Sequence, residues 1–407
     1  MDAGHRIAVI PRASPIDLNA RMEGSAALQL VPPVTPTYVH PPASNGRTET
    51  VAVLQRAERL IAAHRYDEAV HTLGSVRVPT VSSPDLALRV LLAEGWAQLQ
   101  AGSVELADAT LGRACGLAEG KPFSEIDRAE SLFRLGACRL LGGQVTNAVS
   151  LFTVSLGLAD RGHVGGDFVR ARAFEWRARA YVRQREWEAA QLDAERSLEL
   201  AEQLGEDRLR SLSLMQCSVI AERRGDPRLA LFYAERAHGL AVDAGDRRTE
   251  ARLLNNLGGL RFLLGEAEQA VPLLQEAYAL FLELDNEVDA AQVVSSLAQV
   301  HLRCGAPQLA EEQARHALSI LDGRDDYVEE RGNAHLVLGR ALLEQRRDGE
   351  AMTEFAAAEW LFERFGSVSH LAATWMAQGE AYARAEDFEA SVELYRRAAE
   401  ALQDFNF

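Results

Sequence analysis

Nine small residues, Ala57, Gly95, Gly136, Ala178, Ser218, Gly258, Ala298, Gly339 and Gly379, follow one another at intervals of 38, 41, 42, 40, 40, 40, 41 and 40 residues. A period this constant demands an array of like units, because each unit must offer the next the same packing surface. Other positions keep the phase. Twelve residues after each small residue stand Ala69, Ala107, Ala148, Ala190, Ala230, Ala270, Ala310, Ala351 and Ser391, and nineteen after stand Val76, Ala114, Ser155, Ser197, Ala237, Ala277, Ala317, Ala358 and Ala398. Glycine falls seven residues after in five units (Gly102, Gly143, Gly225, Gly265, Gly305), where a first helix would end and turn. Two antiparallel helices cross tightly only where side chains are small, so each unit is predicted to be a helix pair.

The array begins near residue 51. Residues 1–50 hold seven of the thirteen prolines, including the run VPPVTPTYVHPPASNG, and show no sustained helical or strand period. This composition predicts a disordered or extended tail. The expected organisation is therefore a proline-rich tail over 1–50 and an all-α solenoid of about nine antiparallel helix pairs over 51–407.

Charge narrows the partners. The net charge is −16, yet residues 1–50 are neutral, so the whole acidic excess lies on the repeats. An acidic body repels phosphate backbones, which predicts no direct nucleic-acid binding by the repeats and favours basic or neutral partners. No stretch is long and apolar enough for a membrane span, and a cytoplasmic location without membrane association follows as the expectation. Cys115, Cys138, Cys217 and Cys304 form no C-x-x-C pair and are read as buried thiols.

The repeat frame resembles the tetratricopeptide repeat. The last unit carries Trp375, Gly379, Tyr382, Ser391, Tyr395 and Ala398 at that family's Trp, Gly, Tyr, Ala, aromatic and Ala positions, and the sixth unit matches at Leu254, Leu257, Gly258, Ala270 and Ala277. The period of about 40 exceeds the commonest form's 34 and implies longer helices in the same fold. Long repeats with runs such as LLNNLG resemble those of kinesin light chains, NTPase-linked bacterial activators and bacterial peptide-sensing regulators. The stretch AQVVSSLAQVHLRCGAPQLAEEQARHAL and the ending RRAAEALQDFNF are similar to the repeat half of actinobacterial helix-turn-helix regulators. A helix-turn-helix domain needs about 60 residues with three helices, which the tail does not offer. The resemblance thus implies either a peptide- or protein-binding scaffold in regulation or signalling, or a transcription regulator whose DNA contact comes from a partner or from a lost N-terminal domain. Self-association into a homodimer is compatible with both.

Three stretches mimic chemistry. GLAEGKPF (116–123) has three residues instead of four between its glycines and proline where a phosphate loop needs Ser or Thr; RGHVGGDF (161–168) offers no nucleophile; DGRDDYVEE (322–330) lacks the alternating oxygen ligands of a calcium loop. All three are predicted to be connections between units. No catalytic constellation, metal site or cofactor motif is present in the sequence, so the expected function is non-enzymatic.

The resemblance also implies where a ligand would sit. In tetratricopeptide superhelices the first helix of each unit lines the concave face, with residues three before, two before, and one or four after the small position turned inward. Those positions place Asn255 and Asn256 of the sixth unit, Gln299 and Ser295 of the seventh, and Arg179 and Glu175 of the fourth in the groove. Primary amides can pair with both N–H and C=O of an extended chain whatever its side chains. The alternative is that the asparagine pair satisfies a backbone group between neighbouring helices.

Overall fold

The computed structural model describes residues 45–403, apart from 77, 79–82, 121, 163, 164, 325 and 326. The expected tail falls mainly outside the described residues, and the first helix starts at Asn45, six positions before the anticipated boundary. Nine helix pairs follow in chain order: α1 (Asn45–Ala62) with α2 (Tyr66–Leu73), α3 (Pro84–Gln100) with α4 (Val104–Ala118), α5 (Glu125–Leu141) with α6 (Val145–Arg161), α7 (Gly166–Gln184) with α8 (Trp187–Leu204), and α9 (Asp207–Arg223) with α10 (Pro227–Asp243). Then come α11 (Arg247–Leu263) with α12 (Ala267–Glu283), α13 (Glu287–Arg303) with α14 (Pro307–Ile320), α15 (Val328–Glu344) with α16 (Asp348–Phe365), and α17 (Val368–Arg384) with α18 (Phe388–Gln403). No strand occurs among the described residues. The three stretches that mimic chemical motifs all lie at junctions between pairs.

The small residues mark where the two helices of a pair cross. A Cβ on Gly95 would stand 2.6 Å from Leu111 Cγ, one on Gly258 2.6 Å from Leu274 Cγ, and one on Gly339 2.5 Å from Phe355 Cε1. Each partner lies sixteen positions on. Where the small residue is instead Ala178, Ser218 or Ala298, the partner at that spacing is Ala194, Ala234 or Ala314, all fully buried. In these units a Cβ on the first helix goes with a partner cut back to alanine, which avoids the clash that a Cβ would meet against leucine or phenylalanine. Hydroxyls follow the same economy of space. Buried Ser155 and Ser197 donate to the carbonyls of Ala129 and Ala171 at 2.7 and 2.8 Å, which satisfies the groups that small side chains leave near each other.

The turn inside each pair uses a left-handed residue seven positions after the small one. Five are the glycines read from the sequence, Gly102, Gly143, Gly225, Gly265 and Gly305; the other four units place His64, Arg185, Arg346 and Glu386 there, with φ between 59° and 63°. The resulting cap at the end of α11 has Gly265 N–H donating to Phe262 O at 3.0 Å and Glu266 N–H to Arg261 O at 2.8 Å.

Among the described residues the backbone of the first helix of every pair comes close to that of the first helix of the next, whereas second helices stand farther apart and meet only through long side chains, as where Tyr278 Oη of α12 reaches His316 Nε2 of α14 at 3.2 Å. The odd-numbered helices therefore form the inner, concave layer and the even-numbered ones the spread outer layer. The curvature brings distant units together. His64 Nε2, in the α1–α2 turn, lies 3.4 Å from Asp246 Oδ1 at the start of α11, and Arg208 Nε of α9 lies 2.6 Å from the other oxygen of Asp246. Beside this clasp the guanidinium of Arg248 stacks 5.4 Å from the ring centre of Tyr66. One expectation on the cysteines is corrected: Cys138 and Cys217 are buried and Cys115 is partly buried, but Cys304 is exposed because it caps α13 at the rim of a turn. Burial pushes the thiols of Cys115 and Cys217 up to about 12.

Candidate functional site

The inner layer is not uniformly open. Between the second and fourth pairs its concave side is filled by aromatic rings: Trp96 and Trp176, on α3 and α7, meet edge to face at 5.8 Å, with Phe133 of α5 about equally near both at 6.1 and 6.3 Å. The guanidinium of Arg172 caps Phe133 at 4.4 Å and Trp96 at 5.3 Å, and its Nη1 pairs with Glu130 at 3.1 Å. Burial raises the Glu130 carboxyl, but the charges of Arg134 and Arg172 outweigh it and hold it below the ordinary carboxylate value. These packed rings and the Arg172–Glu130 pair fill the inner layer at that end, so the stretch from α7 to α15 is taken as the candidate site.

In that stretch the six sequence-predicted residues separate into three kinds. Glu175 is only 1% exposed and binds Arg179 one turn on. Burial raises its carboxyl above the ordinary range despite the Arg179 guanidinium beside it. Arg179 is half-buried, spread 4.8 Å from the ring centre of Trp176, and so is presented to the groove in a fixed pose by an ion pair and a ring. Ser295 is buried and donates to the carbonyl of Ala291 at 3.1 Å, within its own helix. Gln299 is exposed on α13.

The asparagines are the third kind. Both are partly buried on α11, and neither forms a hydrogen bond with any described residue; Oδ1 of Asn255 is itself buried and accepts nothing from the described residues. The amide pair thus satisfies no backbone group between helices. Leaving a buried carbonyl oxygen unpaired costs about 1–3 kcal/mol. A helix interior is also a poor place for asparagine, so α11 carries two unfavourable residues on its inner face without an internal return.

Sequence reasoning missed a row of side chains one and a half turns before the small position: Glu130, Arg172 and Arg252 on α5, α7 and α11. The only signal was their shared phase, six residues before the small position, since all three helices carry other charged residues as well. Arg252 keeps 42% of its side chain exposed, and its Nη2 lies 3.5 Å from Asp289 Oδ2 on α13. Farther along, Arg303 stacks over Phe262 at 5.3 Å, giving the same wall an apolar contact. The wall formed by α7, α11 and α13 therefore offers amides, guanidiniums and ring edges in sequence, which can hold a chain by its backbone and one or two side chains.

Residues 249–323, which span most of this wall, match the family model of the Tetratricopeptide repeat. Among solved structures, a Rap protein complexed with Competence and Sporulation Factor is similar over 88% of this chain and 98% of that chain, at 15% identity and a TM-score of 0.65. The apo form of the quorum sensor NprR from B. thuringiensis is similar over 88% of this chain and 100% of that one, at 13% identity and a TM-score of 0.59. The Rap conjugation gene regulator of the plasmid pLS20, in complex with the Phr* peptide, is similar over 88% and 95%, at 16% identity and a TM-score of 0.58. At these identities the likeness is one of fold. No helix among the described residues is long and apolar enough to cross a membrane.

Proposed function

The chain is a tetratricopeptide-repeat protein, and we propose that it is a non-enzymatic binding module that holds an extended peptide or protein segment in its concave groove, in regulation or signalling. The observation that carries this reading is the Asn255 amide, whose buried Oδ1 has no hydrogen-bond partner among the described residues although α11 is otherwise packed on its core side. A peptide N–H supplies that partner, and the Asn255 Nδ2 donates to the next peptide carbonyl. Asn256 and Gln299 extend the same backbone recognition, while Arg179, held by Glu175, contacts a side chain. Ser295 shapes the wall through its bond to Ala291. The Rap protein complexed with Competence and Sporulation Factor and the pLS20 regulator in complex with the Phr* peptide support the reading by fold alone.

The test is selection of displayed random linear peptides on the immobilised full-length chain. A common linear motif should emerge, and its synthetic form should compete with the displayed peptides. Selection that yields no shared motif contradicts the proposal.

A further inference from the structure

The second helix of a pair keeps one row of side chains for the pair that follows. The row stands nine, thirteen, sixteen and twenty residues after the small position. On α12 it is Ala267, Val271, Leu274 and Tyr278, which pack in one core with Val293 and Leu297 of α13. On α18 the same four positions are Phe388, Val392, Tyr395 and Ala399, at i, i+4, i+7 and i+11 of one helix face. No described helix packs over them: Phe388 and Val392 are each 65% exposed and Tyr395 41%. The face that ends an array of repeats is ordinarily polar, so an apolar row there marks an interaction surface. What a following helix brings to such a row is visible at the interior junctions. Arg139 of α5 pairs with Asp108 of α4 at 2.7 Å, and Arg261 of α11 with Glu235 of α10 at 2.6 Å. Arg384 of α17 donates to the Leu343 carbonyl at 2.9 Å and to Glu344 at 2.7 Å, at the end of α15. The incoming inner helix thus carries arginine to the carboxylates and the negative helix end of the pair it joins. The ninth pair holds the receiving half: Glu386 and Glu389 form no ion pair with any described residue, and Arg396 and Arg397 are already bound to Glu393 and Glu359.

We propose that this face of α18 is a docking surface for a basic amphipathic helix of a partner protein. The helix lays an apolar stripe on Phe388, Val392, Tyr395 and Ala399 and sets arginines against Glu386, Glu389 and the C-terminal end of α17, as a tenth inner helix would. Arginine suits the task because its apolar stem lies along the row while the guanidinium forks onto a carboxylate. The surface is independent of the groove, and the basic partner agrees with the net −16 of the chain. A second copy of the chain is the poorer fit, because it brings the same row with the same uncompensated Glu386 and Glu389 and sets like charges together.

Three fluorescein-labelled helical peptides of 17 residues, the length of α17, test this on the full chain by anisotropy. All carry the same leucine and alanine stripe and differ only in the polar residues beside it, which are arginine, glutamine or glutamate. The arginine peptide should bind roughly tenfold or more tightly than the glutamine peptide, the range for losing a hydrogen bond to a charged group, and the glutamate peptide should bind least. Phe388→Ser with Val392→Ser should weaken the arginine peptide by roughly tenfold or more, through the apolar area lost. Glu386→Gln with Glu389→Gln should narrow the preference for arginine over glutamine. Melting temperatures should stay unchanged, because all four side chains are exposed. Leu106→Ser with Val154→Ser, at exposed positions of α4 and α6, should leave binding as in the parent. Failure of the arginine peptide to bind, or equal or tighter binding of the glutamine or glutamate peptide, overturns the proposal. So does arginine-peptide binding that survives the Phe388, Val392 variant, or that falls as far in the Leu106, Val154 variant. A dimer of the peptide-free chain in sedimentation that Phe388→Ser with Val392→Ser dissolves overturns it in favour of a second copy.

Discussion

Gly258 shows how little room each crossing leaves. Adding a methyl there sets a Cβ 2.6 Å from Leu274 Cγ and 3.3 Å from the Ala270 carbonyl oxygen, so Gly258→Ala should destabilise the chain by about 1–3 kcal/mol, the usual cost of overpacking. Leu274→Ala opens a cavity and should cost about 2–5 kcal/mol alone. The double variant recreates the Ala178–Ala194 crossing of the fourth unit, so its loss should fall short of the sum of the two by more than the roughly 0.5 kcal/mol within which independent sites add. Denaturant unfolding of the four proteins measures this, and strict additivity contradicts the coupling of these two positions. Arg346 tests the turn in the same way: with φ at 62° and no side-chain bond, Arg346→Gly should stabilise by about 0.5–1 kcal/mol, seen as a higher melting temperature. The small residues were legible in the sequence through phases of seven, twelve and nineteen, whereas their partners sixteen positions on emerge only from the packing. The left-handed turns at His64, Arg185, Arg346 and Glu386 were legible only through the phase of their units, since nothing in an arginine or glutamate signals φ above zero.

Among the elements, α11 is held at both of its faces. Its N-terminus is capped by Asp246, whose Oδ1 accepts from Thr249 N–H at 3.2 Å, and the same carboxylate meets His64 and Arg208 across the superhelix. Burial raises the Asp246 carboxyl, but the hydrogen bond with His64, the charge of Arg208 and the Thr249 N–H hold it well below the ordinary carboxylate range. A depressed folded value means that its contribution is complete above the unfolded carboxylate pKa, near 4, and is lost as pH falls below it. Melting temperature measured from neutral pH into acid should therefore fall less steeply in Asp246→Asn than in the parent, with the difference concentrated below about pH 4. Parallel pH profiles contradict this assignment. An aspartate one residue before an apolar helix is readable as a cap from sequence alone. The clasp it makes with His64 is not, because residues 64 and 246 meet only through the accumulated curvature of the units between them.

For the whole molecule, periodicity foretold about nine helix pairs and the resemblance to the tetratricopeptide repeat implied which helix faces inward, and the helix order and contacts of the described residues agree. The floor of the groove was less legible. The net charge of −16 describes the outer helices, and no count of residues separates Arg252, with its open inner face, from arginines spent in surface pairs such as Arg396 with Glu393. Likewise the Trp96–Trp176 contact depends on the angle between units two apart, which the repeat pattern does not encode. The central claim is that α11 turns an unpaired amide toward a ligand. The most direct measurement compares the full chain with Asn255→Ala in affinity for the peptide motif recovered by selection and in thermal stability, on the same samples. The account predicts a loss of about 1–2 kcal/mol in binding with stability unchanged or slightly raised, since alanine is the better helix former. Unchanged affinity with a clearly lowered melting temperature would contradict it and return Asn255 to the scaffold.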